Sequence, residues 1–242
     1  MKTLLIDIGN TFLKTAAIQN GKPIEGKIFQ TSSIRGIKSV LVSKNISLCV
    51  CCSVVPDATA KLKKLCRELG IKIYFLTHRD IAGMKLKYNS PEDIGSDRIA
   101  SIMGAGTHCP PPFIIVDLGS AVTCELVDKN GVYRGGVIFP GIELSLKALR
   151  AGTALLPEVK FSRPRKGPGA STPECIKKGV WAAVSGGIEK TVSCFLAREP
   201  CAKVFLTGAG ARFFRKGDFP FRYRKESALV FNGLLQFYKK NV

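Results

Sequence analysis

The chain has 242 residues, enough for one large domain or two of about 120 with separate cores. Hydrophobic residues make up 45% and charged residues 23%, and no run approaches the eighteen or more apolar residues of a membrane span; a disordered chain and a helical membrane protein are both excluded. Lysine and arginine outnumber the acids 37 to 18, a net charge of +19 that implies an anionic partner without fixing its size.

The opening run, Met1 to Asp7, has one basic residue and a short apolar stretch ended by an aspartate, too short for a secretory leader, so a cytoplasmic location is expected. A strand running to Ile6 enters Asp7-Ile8-Gly9-Asn10-Thr11, and alternation at Leu13, Thr15 and Ala17 leads to the hairpin-type pair Asn20-Gly21 and a third strand near Ile24 to Phe29. A helix-like stretch near Ser32 to Val42 and a buried strand from Ile46 to Val54 follow. Next comes a helix opened by Pro56-Asp57, with Asp57 as the N-cap candidate and Gly70 as the C-cap, and then a strand from Ile71 to Leu76. The order is βββαβαβ, a sheet covered by helices.

Cys109-Pro110-Pro111-Pro112 cannot continue a helix and marks a boundary between lobes at 1–109 and 110–242. Directly after it, Ile114-Ile115-Val116-Asp117-Leu118-Gly119-Ser120-Ala121 repeats the first motif, and Asn130-Gly131 follows Asp117 at the spacing at which Asn20-Gly21 follows Asp7. The shared offset suggests a duplicated unit. Strands near Val122 to Val127 and Val132 to Phe139 precede Pro140-Gly141 and a helix with Ile142, Leu146 and Leu149 on one face. A Pro-, Gly- and Arg/Lys-rich loop spans Phe161 to Ser171. Thr172 then caps a helix carrying Ile176, Val180, Val184, Ile188, Val192 and Phe195, and Val204 to Gly210 reads as a strand entering a glycine turn. The last helix runs roughly from Glu226 to Lys239.

A carboxylate at a strand end followed by a glycine turn bearing a hydroxyl suits nucleotide phosphates, because backbone N–H groups and the hydroxyl face the oxygens while the carboxylate holds Mg²⁺ through water. Any single copy is equally an ordinary turn aspartate. Gly95-Ser96-Asp97-Arg98 heads a helical stretch, and its two charges read either as a helix-start charge with a salt bridge or as a site. The nine cysteines, three of them in Cys49-Val50-Cys51-Cys52, fit buried thiols of a reduced strand better than a metal site. Cys49 and Cys52 have no matching second pair, and the only histidines are His78 and His108.

Taken in order, Asp7-Ile8-Gly9-Asn10-Thr11, Gly95-Ser96-Asp97-Arg98, Asp117 to Thr123, Gly135 to Gly141, Thr153 to Pro157 and Thr172 make the chain resemble the type III pantothenate kinases, of the acetate kinase, sugar kinase, Hsp70 and actin superfamily. The resemblance implies two tandem RNase H-like lobes, each a mixed α/β sheet, with a cleft between them. It implies ATP-dependent phosphorylation of pantothenate to 4'-phosphopantothenate, the first step toward coenzyme A. By similarity, Asp97 is the general base, and Tyr88, Gly95, Ser96, Asp97, Arg98 and Thr172 contact pantothenate. Asp7, Ile8, Gly9, Asn10, Thr11, Phe12, Leu13 and Lys14 form the first ATP segment, with Asp7 holding Mg²⁺ through water. Ser120 touches ATP, Asp117 holds K⁺ or NH₄⁺, and the assembly is a homodimer. Two positions depart from the family pattern: Ser120 stands where threonine is usual, and Glu125 where aspartate is usual, one methylene longer.

The basic residues concentrate at Arg163-Pro164-Arg165-Lys166 and from Arg212 to Lys225. A solvated surface that attracts nucleotides is a simpler reading of this charge than a dedicated nucleic-acid site. The alternative functions are a regulator of the Bvg accessory factor kind, named for a role in transcription, and a kinase for another small hydroxy acid.

Overall fold

The computed structural model describes residues 2–81 and 84–241, which fall into two compact units, Met1–Pro110 with Ala228–Val242, and Pro111–Ser227. The first unit runs β1 (Thr3–Ile8), β2 (Phe12–Gln19), β3 (Lys22–Gln30), a 3-10 segment Thr31–Gly36 leading into α1 (Ile37–Ser43), β4 (Leu48–Ser53), α2 (Pro56–Glu68), β5 (Lys72–Phe75), a two-residue strand β6 (Lys85–Leu86) and α3 (Ser96–Gly106). Its sheet has the order β3-β2-β1-β4-β5, antiparallel between β1, β2 and β3 and parallel between β1, β4 and β5. Every residue of the central strand β1 is buried, which explains why it reads as a continuous apolar run and not as an alternating one. Leu4, Ile6, Ile8, Cys49 and Cys51 pack into one core with Ile37, Leu62 and Cys66 from the helices. The cysteine run is therefore buried strand, and among the described residues no group of three or more His, Cys, Asp or Glu could hold a metal.

The helix ends refine the sequence reading. Helix α2 starts at Pro56 with Val55 as its cap residue, so Asp57 lies in the first turn, where its charge faces the free N–H groups, and is not the N-cap. Gly70 follows the helix at φ +67, a conformation glycine adopts without strain, and Ile71 N donates to Cys66 O.

The second unit comprises β7 (Phe113–Leu118), β8 (Ala121–Val127), β9 (Val132–Pro140), α4 (Ile142–Ala151), α5 (Thr172–Arg198), β10 (Lys203–Thr207) and β11 (Arg224–Lys225). Its strands follow the order β11-β10-β7-β8-β9. Ile176, Val180, Val184, Ile188 and Val192 recur every four residues along α5 and pack on Ile114, Val116, Val122 and Cys124 of the sheet. No strand separates α4 from α5. Ser171, not Thr172, occupies the cap position of α5, and Glu174 reaches back to accept Ala170 N at 2.9 Å.

The two motif hairpins divide their residues differently. After β1 the turn spans Gly9 to Thr11, and Asn20-Gly21 closes the next hairpin as two left-handed residues, φ 49 and 71. After β7 the turn is one residue shorter. The next loop is longer, with Gly131 at φ 71 donating to Asp128 O and Asp128 Oδ1 accepting Asn130 N and Val132 N. The equal offset in sequence survives because the turn and the following strand are each one residue shorter, and Asn130 comes two residues later in its loop than Asn20 does.

Helix α6 (Leu229–Asn241) belongs to the first unit, whereas the sequence reading carried the second lobe through to residue 242. The reason is a close helix crossing: a Cβ on Gly104 of α3 would lie 1.9 Å from Leu229 O, and a Cβ on Gly233 of α6 would lie 1.9 Å from Ala100 O. Only two glycines let the backbones approach so nearly. Among the described residues, no helix is long and apolar enough to cross a membrane.

Candidate active site

On the first unit, the antiparallel register of β1 and β2 sets Asp7 opposite Lys14, and the ammonium stands 3.9 Å from Oδ2. The parallel register with β4 sets Asp7 beside Cys52, whose thiol donates to Oδ1 at 3.5 Å. Asp7 is only 8% exposed. Burial pushes its carboxyl up to about 6; the Lys14 charge opposes this, Asp97 adds to it, and the Cys52 thiol eases it slightly. Asp97, 90 residues away in sequence, is thus near enough in space for its charge to raise the Asp7 carboxyl further. Gly9 N donates to Phe12 O and Thr31 Oγ1 donates to Gly9 O, which fixes the turn and leaves Asn10 exposed.

Asp97 lies in the first turn of α3, and its Oδ1 accepts Arg98 N at 2.7 Å. Gly95 is required here, since a Cβ would stand 2.5 Å from that same oxygen. Ser96 Oγ accepts Ser53 N at 2.8 Å and donates to Ser53 O at 3.0 Å, stapling the segment to the end of β4. The Arg98 side chain is buried, and its guanidinium lies 5.9 Å from the centroid of the half-buried Tyr88 ring. Beside this segment opens a depression of about 560 Å³, lined by Gly95, Ser96, Thr59, Lys63 and His78 among others.

On the second unit, β7 delivers Asp117 to the matching strand end, and Gly119 N donates to Ala121 O. The turn after β10 lies against it. A Cβ on Gly208, at φ +81, would fall 2.3 Å from Asp117 Oδ1, and one on Gly210 would meet Leu118. Gly141 N donates to Ser120 O, and a Cβ at Gly141 would strike that carbonyl at 2.7 Å, so the start of α4 is held on the Ser120 turn. Glu125 is fully buried on β8 and accepts the Tyr133 hydroxyl at 2.6 Å. Its extra methylene is accommodated by Gly136 on the paired strand, where a Cβ would lie 2.5 Å from Oε2.

Of the residues singled out from sequence, Asp7, Lys14, Tyr88, Gly95, Ser96, Asp97 and Arg98 lie on the first unit, and Asp117, Ser120 and Thr172 on the second. Within the segment from Asp7 to Lys14, Ile8 and Leu13 are wholly buried in the core, so only their backbones can face a ligand, while Phe12 is 40% exposed. Thr172 is exposed at the start of α5. Cys52 and Ser53 were missed as supports of Asp7 and Ser96. Their position at the end of the buried strand β4, parallel to β1, was the available signal.

Two Asp-x-Gly strand turns, a glycine turn against the second and an Asp-Arg helix start define a phosphoryl-transfer protein of the actin-like ATPase and sugar kinase fold. An MreB protein of Spiroplasma citri, in a structure bound to AMPPNP, shares that fold over 98% of this chain and 96% of its own, at a TM-score of 0.52 and 12% identity. A Campylobacter jejuni protein described as a conserved putative Baf family transcriptional activator aligns over 98% of both chains, at a TM-score of 0.62 and 21% identity. The family model for type III pantothenate kinase matches residues 3–193. The type III pantothenate kinase of Persephonella marina is 31% identical over 226 residues, 88% of this chain and 89% of that protein. This chain belongs to the type III pantothenate kinase family.

Proposed function

We propose that this chain transfers the γ-phosphoryl group of ATP to the primary hydroxyl of pantothenate, giving 4'-phosphopantothenate on the route to coenzyme A. The observation that supports the reading beyond family membership is the grouping on one unit of Asp7, with the Lys14 ammonium 3.9 Å from it, and Asp97, whose charge is near enough to raise the Asp7 carboxyl. Phosphoryl transfer needs positioning and charge neutralisation more than covalent help from the protein. The Gly9 to Thr11 turn, whose Gly9 N–H is held by Phe12 O, and the Lys14 ammonium face the phosphates in this scheme. Asp97 accepts the proton of the attacking hydroxyl, and the hydrogen bond from Arg98 N holds its carboxylate in place. Arg98 grips the substrate carboxylate as a fork, with Tyr88 against its plane. Thr172 contacts pantothenate, and Ser120 contacts ATP.

The residues present fit the expected cations. Asp7 is a buried carboxylate whose charge is disfavoured until a cation offsets it, and Asp117 stands near the end of β7 with the Gly208 backbone packed against it. Asp7 would hold Mg²⁺ through water, and Asp117 would hold K⁺ or NH₄⁺. When bound, these ions neutralise charge on the phosphates. Association as a homodimer in the cytoplasm completes the proposal. Helix α5 offers a smooth face at Gly179 and Gly186, where nothing lies within 4 Å of the position a methyl group would take.

The test is direct. Purified protein with ATP, Mg²⁺ and K⁺ is offered pantothenate and a panel of other small hydroxy acids, and phosphorylated product is read by mass. Phosphorylation confined to pantothenate is expected. Product on a different acid alone, or no ATP consumption with any, would overturn the reading.

A further inference from the structure

The second unit carries a basic surface whose lysines and arginines the kinase reading does not use. Residues 160–178 and 212–226 contain twelve Lys and Arg against three acids, and all three acids are engaged: Asp218 with Arg163, Glu226 with Arg224, and Glu174 with Ala170 N. Beneath these loops runs an aromatic ladder. Trp181 stacks on Phe214 at 4.6 Å between centroids, Phe214 on Phe219 at 5.2 Å, and Phe219 on Phe221 at 5.0 Å, with Phe161 joining Trp181 at 6.1 Å.

The ladder fixes the loops to one another. Arg163 donates to both oxygens of Asp218 at 2.5 and 2.6 Å and to Phe213 O at 2.8 Å, with its guanidinium 5.0 Å from the Trp181 ring. Lys178 donates to Arg165 O and Lys225 to Phe214 O. From 219 to 224 the chain alternates, Phe219, Phe221 and Tyr223 turned toward the ladder and Pro220, Arg222 and Arg224 exposed. Arg222 and Arg224 are both exposed, the second of them paired with Glu226. Arg165, Lys166, Arg212, Arg215 and Lys216 are exposed around them.

We propose that this face binds single-stranded nucleic acid through phosphates and bases, contacts that RNA and DNA share. A row of outward cations beside half-buried rings such as Phe213, Phe221 and Tyr223 is the arrangement that tracks a flexible phosphate strand and lets bases stack. Among the described residues, 160–171 and 214–223 contain no helix or strand that could enter a duplex groove. A lipid surface is disfavoured, because among the described residues none of the exposed large hydrophobic side chains falls in 160–226. The proposal goes beyond the kinase reading and is independent of it.

The experiment measures anisotropy of a labelled 20-nucleotide oligouridine with the full chain at 50 to 200 mM KCl. The variant R165E/K166E/R215E/K216E is compared with a charge-matched variant on the first unit, K44E/K61E/K64E/K72E, all exposed positions. The proposal expects at least tenfold weaker binding in the first and near-unchanged binding in the second. The slope of log K against log salt should also fall by about 3 for four lost phosphate contacts. Unchanged melting and ATP turnover check folding; R215A/K216A replaces the fourfold variant if it does not fold. Equal losses in both variants, no binding at 50 mM KCl, or tighter binding to duplex DNA, polyglutamate or phosphatidylglycerol vesicles would each overturn it.

Discussion

Asp7→Asn should stabilise the protein in the absence of metal and nucleotide, even though it removes a residue proposed for the reaction. The Asp7 carboxyl is held at about 6 instead of 3.8, so ionising it costs on the order of 3 kcal/mol more in the folded protein than in the unfolded chain. The folded state binds the proton more tightly; this contribution is present in full below pH 3.8 and is lost as pH rises through about 6. At pH 7.5 the penalty is complete, and asparagine escapes it. For a chain of this size a kcal/mol moves the melting temperature by about 2–4 °C, so the upper bound on the gain is roughly 6–12 °C. The assay is thermal melting of both proteins in EDTA at pH 7.5 and pH 4.5. Asparagine should melt several degrees higher at pH 7.5, and the gap should shrink strongly at pH 4.5. Adding Mg·ATP should reverse the advantage, because only the wild type gains the nucleotide-induced shift. A variant that melts at or below wild type in EDTA at pH 7.5 would refute the buried-charge argument.

Asp97→Asn should leave pantothenate KM near normal and lower kcat by about 10² to 10⁴, measured by steady-state kinetics; near-normal kcat would remove it as the base. Activity should be higher in K⁺ than in Na⁺ at equal ionic strength, which screening alone cannot distinguish, and Asp117→Asn should abolish that difference. Gly233→Ala drives a methyl into Ala100 O and should cost about 1–3 kcal/mol or more in denaturant unfolding. Gly186→Ala on α5, open on all sides in the single chain, should be neutral or stabilising by up to about 1 kcal/mol unless two copies meet there.

Local chemistry made much of this legible. Asn20-Gly21, the apolar run of β1 and the four-residue spacing on α5 specify their elements through turn geometry and burial, which depend on neighbours in sequence. What could not be read depends on distant partners. The charge interaction of Asp97 with Asp7 joins residues 90 apart, and the Ser96–Ser53 staple joins residues 43 apart. Such contacts follow from strand order, which no local pattern encodes. Helix α6 shows the same limit: its periodicity marks a helix, while its destination is set by Gly104 and Gly233. The Ser171 cap was displaced by one residue because Ser171, Thr172 and Pro173 all suit a helix start.

Because the first unit is built from Met1–Pro110 and Ala228–Val242, its completion is set by the order of translation. The whole of Pro111–Ser227 leaves the ribosome before α6 does, so the continuous second unit can fold first, reversing the usual N-terminal-first sequence. At about 5–20 residues per second, the stretch of roughly 120 residues between Gly106 and Leu229 takes about 6–24 s to synthesise. Throughout that interval the faces of α3 and β1 that later meet α6 are without their cover, Ala100 of α3 among them. A ribosome stalled anywhere between Gly106 and Leu229 therefore leaves α3 in an unfinished unit.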